Sequence, residues 1–166
     1  LGWFPAGEAI TGEHLEAGDV VIGLPSSGVH SNGYTLLRAI VDKSGLSLSD
    51  TAPFDTDHPG REIEGANKSG ATLGEVLLNP TRIYVDPIID LIDSCRQGNG
   101  PCASEDIKAI AHITGGGLSN LLRLHDSLGW HISSPLPIPP EFNWMADTGP
   151  VENLEMHRVF NMGMGM

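Results

Sequence analysis

The sequence predicts an α/β domain built on a mixed sheet. Short apolar runs that read as strands, Asp19–Leu24 and Ile107–Thr114, alternate with stretches of helical periodicity. Each of these runs leads through a glycine-rich turn into an amphipathic helix. The turns are Ser26-Ser27-Gly28-Val29-His30-Ser31-Asn32-Gly33 and His112-Ile113-Thr114-Gly115-Gly116-Gly117. At 166 residues, with 40% apolar and 18% charged residues, the chain has the size and composition of one globular domain, or one and a fraction.

Taken in order, Asp19–Leu24 is apolar on both faces, as a central strand covered on both sides would be. Ser31 or Asn32 is placed to cap a helix whose inner face carries Tyr34, Leu37, Ile40 and Val41, and Gly45 is placed to end it. Residues 46–72, rich in Ser, Asp, Gly and Pro, read as a long and mobile surface excursion. Leu73–Leu78 forms a short helix stopped by Asn79-Pro80. Thr81–Asp93 forms the next, with Ile88, Leu91 and Ile92 inward and Pro87 tolerated in the first turn.

Ile107–Thr114 sets Ile107, Ala109, Ala111 and Ile113 on one face. After the triple glycine, Leu118, Leu121 and Leu122 mark the inner stripe of a helix. Trp130–Ser134 reads as a short strand. Prolines 135, 137, 139 and 140 make a rigid connection, and Pro140 suits the first position of a helix over Glu141–Ala146. Val151–Val159 is the last helix, before a glycine–methionine run that looks like the start of a strand.

Strand, glycine turn, helix is an arrangement that aims backbone N–H groups at an anion, because first-turn donors have no partner inside the helix. Two such turns suggest a phosphorylated small-molecule ligand. His30, bracketed by Gly28 and Gly33, reads either as a hydrogen-bonded loop residue or as a donor and proton carrier near neutral pH. The three glycines at 115–117 serve either close packing or an anion, with Ser119 and Asn120 as further donors. His112 reads equally as a core histidine. Arg82 sits at a helix start, where its guanidinium grips a phosphate or pairs on an acidic surface. Arg158, Asn161, Gly163 and Gly165 form another polar and small cluster. No nucleophilic triad stands out, and the histidines lack metal-ligand spacing.

The formal net charge is −12, from 21 acidic and 9 basic residues. That field repels a polyanion, so nucleic acid is an unfavourable partner and a phosphate must be held by local donors and a divalent cation. No apolar run approaches the roughly 20 residues of a membrane span, and no signal-peptide pattern is present. Cys95 and Cys102 match no zinc motif and read as two unpaired loop thiols of a protein in a reducing cytoplasm. The start without Met and the close on Asn161–Met166 suggest a piece of a larger protein.

Four segments together resemble the C-terminal domain of the AIR synthetase family, the phosphoribosylformylglycinamidine cyclo-ligases. They are Gly23–Tyr34, Leu77–Val85, Ala111–Leu118 and Glu155–Met166, which occur in the family's order and span nearly the whole chain. The resemblance implies an α/β/α layer arrangement, partly ferredoxin-like, over 19–166, with 1–18 as linker or end of a preceding domain. The last strands and helix of the family's domain would be lacking.

The resemblance also implies an ATP-dependent ligase of purine biosynthesis. The formyl amide oxygen of formylglycinamidine ribonucleotide is phosphorylated, and closure by the amidine nitrogen forms aminoimidazole ribonucleotide. ATP and Mg2+ would be held mainly by an N-terminal domain absent from this chain, through which the full-length protein forms a homodimer. The chain alone would be inactive. His30 is then the expected catalytic residue. Ser31, Asn32, Gly33, Arg82, Gly115, Gly116, Gly117 and Asn161 are expected to bind substrate or phosphate. The alternatives are relatives in the same ATP-using superfamily, such as formylglycinamidine synthetase, selenophosphate synthetase, thiamin-phosphate kinase or a hydrogenase-maturation protein, or a non-catalytic module that binds a phosphorylated ligand.

Overall fold

The computed structural model describes residues 4–57 and 69–166. The helices are α1 (Tyr34–Ser44), α2 (Leu73–Leu77), α3 (Val85–Arg96), α4 (Pro140–Thr148) and α5 (Asn153–Val159). Two 3-10 helices, Ser104–Asp106 and Gly117–Arg123, complete the helical elements among the described residues.

One apolar core gathers α1, α2, α4 and α5. Leu37 and Ile40 of α1, Leu73 and Leu77 of α2, Phe142 and Met145 of α4 and Met156 of α5 close around Val29, Phe160 and Met162. The Phe142 and Phe160 rings meet at 6.0 Å, tilted by 55°. Leu37 and Ile40 lie three apart and so share one face of α1.

Local chemistry explains the helix ends. α1 starts at Gly33 in the left-handed region, φ 76°, with no side-chain cap, so neither Ser31 nor Asn32 plays the expected capping part. It ends at Gly45, φ 71°, whose N–H donates to Asp42 O at 3.3 Å. α2 carries a capping box that the sequence reading passed over: Thr72 Oγ1 accepts from Glu75 N–H at 3.2 Å and Glu75 Oε2 accepts from Thr72 N–H at 2.7 Å. Pro140 opens α4, where a missing N–H costs nothing.

α3 begins at Val85 rather than Thr81. Thr81 hydrogen-bonds Ser31 of the first glycine turn instead, Arg82 and Tyr84 donate to Pro25 O just ahead of that turn, and Pro87 falls in the first turn of α3, as expected. The stretch after the triple glycine forms a 3-10 helix in place of an α-helix, with Leu121 buried but Leu122 63% exposed.

The expected mixed sheet does not form among the described residues. Its elements are present as laced lengths of backbone. Leu24 N–H donates to Met166 O and Gly165 N–H to Leu24 O, both at 2.8 Å, and Pro25 bridges Met164 in antiparallel sense. Ile113 N–H donates to Gly165 O at 2.9 Å. The C-terminal residues thus lie between the ends of the two runs read as strands. The body of the first run differs from expectation: Val20 is 82% and Ile22 78% exposed, not covered on both faces. A two-sided strand needs a neighbour on each edge and a layer on each face, and no described residues supply them. Residues 130–134 likewise form no ladder.

Residues 46–57 and 69–72 are no loose excursion. Ala52 N–H donates to Ala71 O at 2.9 Å, Thr51 bridges Thr72, and Phe54 packs on Trp144 at 5.6 Å. Ala52 and Thr56 are buried. The rest of that stretch lies outside the described residues. Lys108 Nζ anchors the N-terminal segment through Glu16 at 2.9 Å and Asp19 at 2.7 Å. Among the described residues no helix is long and apolar enough to cross a membrane.

Candidate functional site

The first glycine turn is a buried polar knot. Ser26, Ser27 and His30 are 1%, 5% and 4% exposed. Asn161 ties it to the C-terminal segment: its Nδ2 donates to Gly28 O at 2.8 Å, and its Oδ1 accepts from Ser26 Oγ and Gly163 N–H, both at 2.9 Å. Ser27 Oγ donates to Pro80 O at 2.7 Å, and Asn79 Nδ2 donates to Ser27 O. Wholly buried Glu141 approaches from α4, its Oε1 3.2 Å from where a Cβ on Gly28 would stand. Gly28 has φ 135°, so glycine is needed there on both counts.

His30 adopts φ 59°, a left-handed conformation uncommon for a non-glycine residue. Its Nε2 accepts from Ser27 N–H at 3.1 Å. That hydrogen bond assigns the proton to Nδ1, which is buried and has no partner among the described residues. Burial, helped by the charges of His112 and Arg82, lowers the His30 pKa from 6.5 to about 4. The imidazole is therefore a neutral donor at physiological pH.

Tyr84 stands between the two histidines, 6.3 Å from His30 and 5.7 Å edge-on from His112, with its hydroxyl donating to Pro25 O at 2.7 Å. Gly165 lies directly against that hydroxyl, leaving no room for a side chain. Arg82 Nη1 donates to Pro25 O at 3.3 Å; the residue lies ahead of α3, not at its start. Exposed Ser31 shares a hydrogen bond with Thr81 at 3.2 Å.

The second turn meets the first where Asn32 Oδ1 lies 3.2 Å from the Cβ position of Gly115. Among the described residues, the N–H groups of Gly115 and Gly116 donate to nothing. Gly117 has a packing duty: its N–H donates to Thr114 O at 2.9 Å, and a Cβ there would stand 1.9 Å from His157 O. Gly33 is similar, since a Cβ would stand 2.4 Å from Phe160 Cε1. Ser119 Oγ donates to Gly116 O at 2.6 Å and Asn120 Nδ2 to Gly115 O at 3.4 Å, so both side chains brace the turn. Arg158 lies apart, exposed beside Glu155.

His30, Ser31, Asn32, Arg82, Gly115, Gly116 and Asn161 thus come together. Ser27, Asn79, Tyr84, His112 and Glu141 join them without having been singled out as binding residues. Among the described residues no group of three or more His, Cys, Asp or Glu gathers around one point. The site's donors are N–H groups and hydroxyls, which suit an anionic or carbonyl oxygen.

Residues 16–166 match the family described as AIR synthase related protein, C-terminal domain. The chain belongs to that family. Membership brings an α/β fold class, of which the helices and the laced backbone lengths are the parts formed here. The AIR synthase C-terminal domain of this chain is 40% identical over 165 residues to a protein of Methanosarcina acetivorans named phosphoribosylformylglycinamidine cyclo-ligase. Proteins of the same name from Methanosarcina mazei and Methanococcoides burtonii are 39% and 40% identical over the same length. In each case 99% of this chain is covered, and the chain spans 42% of the relative.

Proposed function

We propose that this domain is the C-terminal part of an ATP-dependent cyclo-ligase that converts formylglycinamidine ribonucleotide to aminoimidazole ribonucleotide. The observation that carries the reading is 40% identity across 99% of the chain to a protein named for that reaction. The cluster of donors around His30 supports it. Transfer of a phosphoryl group to an amide oxygen develops negative charge on oxygen, and preorganised N–H donors stabilise such charge without reorganising.

In this reading the Nδ1–H of His30 donates to that oxygen once the Ser31–Asn32 rim opens to admit it. Arg82, with the Gly115 and Gly116 N–H groups, holds a phosphate, and Ser31 and Asn32 line its approach. Asn161 keeps the His30 turn in shape, and Gly33 and Gly117 allow the elements behind it to close. ATP and Mg2+ are held mainly by the part of the longer protein N-terminal to this domain, because Glu141 is the one carboxylate gathered here among the described residues, and no cluster of ligands forms around it. The mixed α/β/α sheet is completed in that longer protein, which works as a cytoplasmic homodimer. The domain alone is inactive.

The test is ADP release by the full-length protein. We expect release to depend on formylglycinamidine ribonucleotide. Dependence on selenide or glutamine in its place would move the protein to a different branch of the superfamily.

A further inference from the structure

Cys95 and Cys102 stand outside this site. Cys95 is the buried residue of α3, 4% exposed in its last turn, and Cys102 is exposed on the loop that follows. Cys95 is therefore not the loop thiol that the sequence suggested. The intervening loop folds back on the helix end. Gln97 N–H donates to Asp93 O at 3.0 Å, Gly98 N–H to Cys95 O at 3.1 Å and Asn99 N–H to Ser94 O at 2.9 Å. Gly100 then passes directly over Cys95, where a Cβ would lie 2.4 Å from Sγ and 2.7 Å from the Cys95 backbone. The return brings Cys102 Sγ to 3.6 Å from Cys95 Sγ. Starting from 3.6 Å, a bond of about 2.05 Å requires the sulfurs to close by only about 1.5 Å.

We propose that Cys95 and Cys102 form an oxidative modification site, a dithiol that closes reversibly to a disulfide when the protein meets a peroxide. Exposed Cys102 reacts first. Its thiolate attacks one peroxide oxygen, the O–O bond breaks, and the departing hydroxide takes up a proton to become water, leaving a sulfenic acid. Cys95 gives up its proton and attacks that sulfur. The S–S bond forms, the S–O bond breaks, and the hydroxyl leaves as a second water. Two thiols have lost two electrons and two protons, and the peroxide has gained them. The Cys102 thiol donates its hydrogen to the Cys95 sulfur, and this bond, with partial desolvation and the nearby Asp106 carboxylate among the lesser causes, holds Cys102 above its usual range, so in the resting protein it is a thiol. The bond staples the end of α3 to the loop that runs through Ser104–Asp106 toward the second glycine turn.

Trypsin provides a direct test, because Arg96 lies between the two cysteines. The full-length protein is treated with hydrogen peroxide, alkylated with N-ethylmaleimide and digested. Peptides 83–96 and 97–108 should appear joined, about 2 Da lighter than their sum, in protein that runs as a single chain on a non-reducing denaturing gel, and should separate with dithiothreitol. Cys102→Ser, at an exposed position, should fold normally and lose the joined pair. Gly100→Ala keeps both thiols but forces the loop off Cys95, and should slow pairing roughly tenfold or more. Alkylation of both cysteines after peroxide would overturn the proposal, as would sulfinic acid on Cys102 without a joined pair, a joined pair confined to covalent dimers, or undiminished pairing in Gly100→Ala.

Discussion

His30 is held in a conformation that costs on the order of 1–3 kcal/mol for a residue with a Cβ, and it keeps a buried donor without a partner among the described residues. Both costs persist only because the Ser27 and Asn161 hydrogen bonds over-determine the turn. Such expenditure is concentrated at functional positions. In the full-length protein, His30→Ala should lower kcat/KM by about 10²–10³-fold, the usual effect of losing one preorganised donor. Unchanged steady-state kinetics would remove His30 from catalysis. The lowered pKa has a second consequence. The unfolded imidazole titrates near 6.5 and the folded one near 4, so below pH 6.5 the unfolded chain takes up a proton that the folded one refuses. Stability should fall as pH drops from 6.5 to 4 and stop falling on this account below that. The loss should be on the order of 2 kcal/mol once solvent screening is allowed for. Urea denaturation at pH 7 and pH 4.5 checks this; His30→Gln should abolish most of the difference, and an equal loss in the variant would exonerate His30.

At the scale of elements, the helices were legible where their signals are local. Gly45 stops α1, Asn79-Pro80 stops the α2 segment and Pro140 starts α4, each by its own backbone chemistry. The start of α3 was illegible because Thr81, Arg82 and Tyr84 are drawn off by a turn about fifty residues earlier, a contact without a sequence period. The glycine turns were recognisable, yet which glycine serves what purpose was not, since that depends on what packs against it. Gly117, φ 54°, faces His157 O, whereas Gly45, φ 71°, faces open space. Gly117→Ala should therefore cost about 3 kcal/mol or more and Gly45→Ala about 1 kcal/mol, measured by chemical denaturation. Equal costs would show that strain at φ alone matters. Thr72→Ala should cost about 1 kcal/mol by removing the capping box, a signal that was legible in Thr72-Leu73-Gly74-Glu75 all along.

For the whole molecule, the strands are the part that sequence reading identified without being able to place. Alternation and apolar runs report a preference for extended backbone, but a sheet exists only where edges find partners, and partners are not encoded locally. The backbone between the glycine turns and the C-terminal segment is paired at Leu24, Ser26 and Ile113; Val20–Gly23 form no backbone hydrogen bond among the described residues. Stability should therefore be graded along the chain rather than uniform. Hydrogen exchange of the 166-residue chain should show Val20–Gly23 exchanging within seconds to minutes. Amides of α1 and α4, whose Leu37, Ile40, Phe142 and Met145 are buried in the common core, should be slower by about a thousandfold or more. In the full-length protein, protection appearing at Val20–Gly23 would show that the rest of the protein supplies the missing sheet neighbour. If those amides were already protected in the isolated chain, the run would be paired there and stability would not be graded along the chain as argued.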